Sequence, residues 1–292
     1  MLLVQQITNG LMLGGIYVLI AVAFTLAIGI LNFLNFSVPG IFMLGAVITW
    51  RLLEAGWSWI PSIAAGLAVG IVASLIVERF TYRLMKGSDH EIPLVSSVGF
   101  LILFENLVVI GIGSDQQQFP QIVSDFNFRI GELILGIGQL MSLGTAIVLV
   151  FAVTYLMKKT QIGRGIRAIG ESAETATILG VEVHRIVPVL FIVTGLLTAL
   201  AGLLFAINYQ QVSWSMGEEV GLKGIAAMVI GGMGNISGAV IGGLLIGLTE
   251  VLSIYFLGAD MVDISVYGLL LVLLVFWPQG ILGSTSAPRE KL

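Results

Sequence analysis

The chain contains no cysteine and only two histidines, His90 and His184, in 292 residues. Disulfides and thiolate chemistry are therefore excluded, and the redox state of the compartment leaves no mark on the sequence. His90-Glu91 is followed by no second histidine four residues on, so the helix-borne zinc site of a metalloprotease is absent. Both histidines fall in polar loops and read as surface residues. No Gly-Lys dipeptide occurs, which removes the nucleotide-binding P-loop; any ATP that drives this protein must be bound by another chain. Charge is scarce as well: 10% of residues are Asp, Glu, Lys or Arg, where a soluble domain carries about 25%. The opening MLLVQQITNG has neither Lys nor Arg, and no small-x-small cleavage site follows it. An uncleaved first span is expected rather than a signal peptide.

What fills the chain instead is hydrocarbon. Hydrophobic residues make up 57% and glycine supplies 37 positions, and mean hydropathy is +1.04. The expected fold class is all-α, a polytopic transmembrane helix bundle of about 8–9 spans forming one integral-membrane domain over 1–292. Apolar runs place the spans near 7–29, 36–50, 59–79, 94–113, 139–157, 186–207, 218–233, 238–257 and 263–279. The second and seventh runs, at 1.5 Å per residue, reach roughly 22–24 Å against a hydrocarbon core of about 30 Å. Those two are expected to be broken, tilted or partly re-entrant.

The net charge of -4 says little in a bilayer, where the placement of Lys and Arg matters more. If the spans alternate, Arg79, Arg83, Lys86, Lys158, Lys159, Arg164, Arg167, Arg185, Arg289 and Lys291 share one side. Arg51, Arg129 and Lys223 remain opposite. The positive-inside rule then makes the C-terminus cytoplasmic and the N-terminus external. The external stretch 114–138 is expected to form a small outer cap.

The longest polar interruption is KKTQIGRGIRAIGESAETATILGVEVHR, residues 158–185. Its apolar residues fall at helical spacing: Ile166, Ile169 and Gly170, then Ala173, Ala176, Ile178 and Leu179. Short amphipathic helices on the cytoplasmic surface are expected there. Glycines four apart, Gly66 and Gly70, Gly238 and Gly242, Gly243 and Gly247, allow helices to approach closely. An internal repeat is also visible. Asn35-Phe36 precedes Gly40 and a short run, and Asn208-Tyr209 precedes Gly217 and a second one. Interrupted short spans in corresponding halves point to a transporter's substrate pathway at the midplane.

Few residues could carry chemistry. Glu105 and Glu250 lie within apolar spans, where a carboxylate costs about 2.5–3.5 kcal/mol. With no Lys or Arg expected within a span to pair with them, they would be protonated or capped by neighbours such as Asn106 and Thr249. They line a route or proton site, or else lock helices together. Asn32, Asn35 and Asn208 can cap helices where spans break, leaving backbone groups free to meet a substrate's charged ends. The glycine-rich GGMGN, 231–235, joins two apolar runs with no strand before it and reads as a tight interhelical turn rather than a phosphate cradle.

These features coincide with a known family. GLMLGGIYVLIAVAFTLAIGILNFLNF, ERFTYRLMKGSD and LKGIAAMVIGGMGNISGAVIGGLLIGL make the chain resemble, over about residues 10–283, the permease subunits of ABC importers for branched-chain amino acids, of the LivH type. Glu174-Thr-Ala176 followed by Gly180 is similar to the EAA-x-x-x-G pattern through which such permeases contact their ATPases, with Thr175 replacing one alanine. Its Ile-x-Leu-Pro continuation is missing. The resemblance implies alternating access, with ATPase subunits, a second homologous permease subunit and a substrate-binding protein as partners, in the cell (inner) membrane. It implies coupling through Arg164, Arg167, Glu174, Ala176 and Gly180, and a substrate pathway with Asn35, Glu105, Asn106, Asn208 and Glu250 as candidates. No metal, cofactor or enzymatic activity of its own is expected. Where relatives have Ala-His-Gly after the Asn-Phe pair, this chain has Ser37-Val38-Pro39-Gly40, which leaves urea or short amides open as substrates. A self-contained proton-coupled transporter using Glu105 or Glu250 is the rival from another class.

Overall fold

Backbone polar groups in hydrocarbon must pair within their own segment, so each apolar run becomes a helix. The computed structural model describes residues 2–31, 33–85, 91–122, 127–130 and 133–283; Asn32, Lys86, His90, Arg289 and Lys291 lie outside them. The elements are α1 (Leu2–Leu31), α2 (Ser37–Glu54), α3 (Trp59–Val77), α4 (Glu91–Ile112), β1 (Gln117–Gln118), β2 (Asn127–Ile130), β3 (Leu133–Gly136), α5 (Ile137–Lys159), α6 (Gln161–Glu171), α7 (Ala173–Ile178), α8 (Val183–Tyr209), β4 (Gln211–Val212), α9 (Met216–Gly231), α10 (Ile236–Phe256) and α11 (Val262–Phe276). A π-helical turn, Glu78–Arg83, extends α3. Among the described residues eight helical spans are long and apolar enough to cross a membrane, the last being α11 together with the 3-10 turn Ala259–Met261 before it; α9, at 16 residues, is not among them.

Glycine sets the packing. A Cβ on Gly10 or Gly14 would press on Leu248 or Leu244, and one on Gly247 or Gly243 on Gly14 or Val18, so α1 and α10 run antiparallel in close contact. Gly66 and Gly70 admit α2 and α8 in the same way, through Thr49 and Ala199. Buried α1, α2 and α8 form the centre, while α4, α5 and α11 expose most of their surface.

Two ends are distinguishable. At one, the amides of Ile281 and Leu282 donate to the carbonyls of Ile230 and Gly231, beside the ends of α1 and α5 and the helix α6. At the other, β1 pairs antiparallel with β4, the Trp50 indole donates to the Gln118 carbonyl, and the Gln5 amide donates to that of Ile134. The first end carries Lys158, Lys159, Arg164 and Arg167 on α5 and α6; Arg51 and Arg129 fall at the second. One expectation needs correcting. Lys223 belongs to neither end: it is inside the bundle, within α9.

Both short runs start inside the bundle. Residues 33–36 are not helical, and Phe33 and Asn35 are buried. The Phe36 amide donates to Ser97 Oγ, and Gly40 packs on Leu101 and Phe104 of α4. α2 therefore begins level with the middle of α4, and at 18 residues it is longer than the run suggested. α9 begins beside it: a Cβ on Gly217 would lie 2.2 Å from the Pro39 carbonyl oxygen. The first turns of two helices thus meet in mid-bundle, one helix heading to each end.

Candidate functional site

The N-terminal turn of a helix concentrates unpaired N–H groups and a positive dipole end. α2 satisfies part of this demand locally: Asn35 Oδ1 accepts from the Ser37 amide at 3.1 Å and the Ser37 hydroxyl at 2.7 Å. Asn35 thus closes the turn that leads into α2, one residue before the N-cap position Phe36. The first turn of α9 carries Glu218 and Glu219, both exposed. Beside it lies a cavity of about 250 Å³ bounded by Gln116, Phe205, Ser213, Trp214, Ser215 and Glu219. It has aromatic walls, several hydroxyl and amide groups, one carboxylate and a helix N-terminus. That combination can hold a small zwitterion with an apolar side chain.

Glu105 lies on α4 next to Phe104, which packs on Gly40. Its Oε1 is enclosed with no hydrogen-bond partner among the described residues. Asn106 does not cap it; its exposed amide donates to the Ile102 carbonyl of its own helix at 2.8 Å. Asn208 caps no break either, because α8 continues through Tyr209 and ends at Gln210 with φ 53°. The Asn208 amide instead donates to Ser142 Oγ at 2.6 Å and to the Leu204 carbonyl at 2.7 Å, tying α8 to α5.

Glu250 overturns a larger expectation. It has a basic partner within the bundle: Lys223 Nζ is 3.2 Å from Glu250 Oε2, with side-chain exposures of 13% and 9%. The Tyr17 hydroxyl donates to the same oxygen at 2.5 Å, and Asp263 Oδ1 is 3.9 Å from Lys223. Thr249 does not cap Glu250; it donates to the Leu245 carbonyl. The alternation of spans had counted Lys223 on the outer side, opposite ten of the other basic residues. Glu218 and Glu219 mark where α9 starts, one turn before the lysine enters the bundle.

In the polar loop, Thr160 Oγ1 accepts from the Gly163 amide to start α6, and Ser172 Oγ accepts from the Thr175 amide to start α7. Ile166, Ile169 and Ala176 are buried against the bundle. Arg164 and Glu174 are exposed; so is Arg167, whose guanidinium donates to the Met157 carbonyl. α7 terminates at Gly180, φ +84°, a left-handed conformation that favours glycine. Ile178 and Leu179, expected on an apolar helix face, are 79% and 75% exposed and form an apolar tip.

Comparison with known proteins assigns the chain to a family. Residues 6–275 match the family described as "Branched-chain amino acid transport system / permease component". The chain belongs to that family. It is 30% identical over 299 residues to the high-affinity branched-chain amino acid transport system permease protein BraD of Pseudomonas aeruginosa, covering 98% of this chain and 97% of that protein. It is 30% identical over 307 residues to LivH of Escherichia coli K12, with the same two coverages. The autoinducer 2 import system permease protein LsrC of Escherichia coli is 30% identical over 245 residues, covering 83% of this chain and 68% of its own. Among solved structures, a chain of PsaBC from Streptococcus pneumoniae aligns with 93% of this chain and 89% of its own at TM-score 0.47 and 11% identity.

Proposed function

We propose that this chain is the permease subunit of an ATP-driven importer that moves branched-chain or other hydrophobic amino acids by alternating access. The observation that carries the reading is the first turn of α9, which opens on a cavity edged by Glu219 and walled by Phe205 and Trp214. The helix end suits a substrate carboxylate, Glu219 an ammonium, and the aromatic rings an aliphatic side chain. Family membership supports the transport class, and the two relatives aligned almost end to end are named for branched-chain amino acid transport.

In this reading ATPase subunits dock on the α6–α7 loop through Arg164, Arg167, Glu174 and the Ile178-Leu179 tip. A second homologous permease completes the pore, and a binding protein delivers substrate at the end that carries β1 and β4. The loop 158–185 and the C-terminus are then cytoplasmic, 114–138 caps the outer mouth, and the chain performs no catalysis of its own. The Lys223 partnership of Glu250 weighs against a proton-coupled rival built on that carboxylate. The test is uptake of labelled leucine into proteoliposomes holding this chain, its partner permease, the ATPases and the binding protein. Uptake should require ATP, and Glu219→Gln should lower it about tenfold, as expected for loss of a charge-assisted contact. Uptake by this chain alone under a pH gradient would overturn the proposal.

A further inference from the structure

Lys223 follows Glu219 by one turn of α9, and the two side chains share a face of the helix. A glutamate four residues before a lysine is the pairing an α-helix favours, because the lysine side chain leans toward the N-terminus. The pair does not form. Among the described residues no ion pair or side-chain hydrogen bond reaches Glu219. Lys223 turns instead to Glu250 of α10 at 3.2 Å, with Asp263 of α11 at 3.9 Å.

Surroundings decide this competition between carboxylates. Glu250 is buried, and the Tyr17 hydroxyl donates to the same oxygen that Lys223 reaches, which holds the carboxylate in place for the ammonium. An ion pair is also stronger where water is excluded. Glu219 is exposed, so water weakens its pull on the lysine. The outcome matters for the cavity beside the start of α9, which Glu219 edges. A lysine turned toward Glu219 would occupy the carboxylate of that lining and put a positive charge where a substrate's ammonium group has to sit.

We propose that Glu250 is a positioning residue: by holding Lys223 against α10 it keeps the Glu219 carboxylate free to meet a substrate's ammonium group. The ammonium contact of Glu219 rests on the importer reading; the placement of Lys223 does not. The purified full chain in detergent is treated with a carbodiimide and glycinamide, which convert accessible carboxylates to amides, and modification is read residue by residue by tandem mass spectrometry. Glu219 should react readily in the parent. In Glu250→Gln it should be protected about threefold as Lys223 turns to it, and Glu250→Gln/Lys223→Gln should restore the reaction. Glu218, five residues before Lys223 and so on another face of α9, should react alike in all three. Should Glu250→Gln not fold, Glu250→Asp keeps the charge but withdraws it by one methylene, and should protect Glu219 by a smaller factor. A Glu219 equally reactive with and without the native Glu250 side chain overturns the proposal, as does protection that appears at Asp263 instead. In proteoliposomes with the partner subunits, leucine uptake by Glu250→Gln should fall about tenfold, the loss expected of Glu219→Gln, and recover in the double variant. Protection of Glu219 with uptake unimpaired would uphold the placement of Lys223 and overturn the ammonium role of Glu219 in the importer reading.

Discussion

Lys223 stands between Glu250, Tyr17 and Asp263 in a region where a lone charge is costly to hold. Removing one member of such a pair strands the other. Lys223→Met or Glu250→Gln alone should cost about 3 kcal/mol in thermal or denaturant unfolding in detergent. The double variant should cost clearly less than the sum of the two, a coupling that a double-mutant cycle measures directly. Strict additivity would show that the two side chains do not pair. No local pattern revealed this pair, since its members are 27 residues apart on different helices and Tyr17 is 233 residues from its carboxylate. Asn35 was easier to read: its contact with Ser37 acts over two residues, the range that sequence spacing can resolve.

At the scale of elements, the crossing of α2 and α9 is the feature on which the proposed pathway depends. Gly217 and Gly221 meet Pro39 so closely that a methyl group would have to push backbone or ring aside. Gly217→Ala should lower the unfolding temperature and speed tryptic cleavage. Gly99→Ala and Gly144→Ala, with no neighbour within 4 Å, should be neutral or stabilising by up to about 1 kcal/mol. The length of the seventh run already signalled a helix too short to span alone, because such a run is visible as a count. That it starts beside Pro39 was not visible, because the meeting joins segments nearly 180 residues apart. The α6–α7 loop was legible for the opposite reason: caps and apolar spacing act within one turn, and Thr160 and Ser172 start the two helices. Its exposed tip gives a further prediction. Ile178→Ser/Leu179→Ser should leave stability within about 0.5 kcal/mol, as for surface sites, yet abolish ATP-driven uptake, while Gly180→Ala should strain the turn that aims the tip.

For the whole molecule, the side on which the α6–α7 loop lies decides whether an ATPase can reach it. Eight long helices alone would return the chain to the face on which it began. The ninth passage is made by 210–215 and α9 together: β4 pairs with β1 at one end, and the carbonyls of Ile230 and Gly231 hold the C-terminal segment at the other. The N-terminus and C-terminal segment therefore belong to opposite faces, and the basic residues of α5 and α6 share the C-terminal one. Lys223, once removed from the count, takes nothing from this bias, because a residue inside the bundle has no side to favour. A chain without cysteine allows direct measurement. Trp57→Cys and Leu179→Cys, 56% and 75% exposed in the parent side chains, sit at opposite ends. In intact spheroplasts an impermeant maleimide should label the first and not the second, and permeabilisation should expose both. Labelling of Leu179→Cys from outside would put the helical loop beyond the reach of any cytoplasmic ATPase and overturn the proposed docking on α6 and α7.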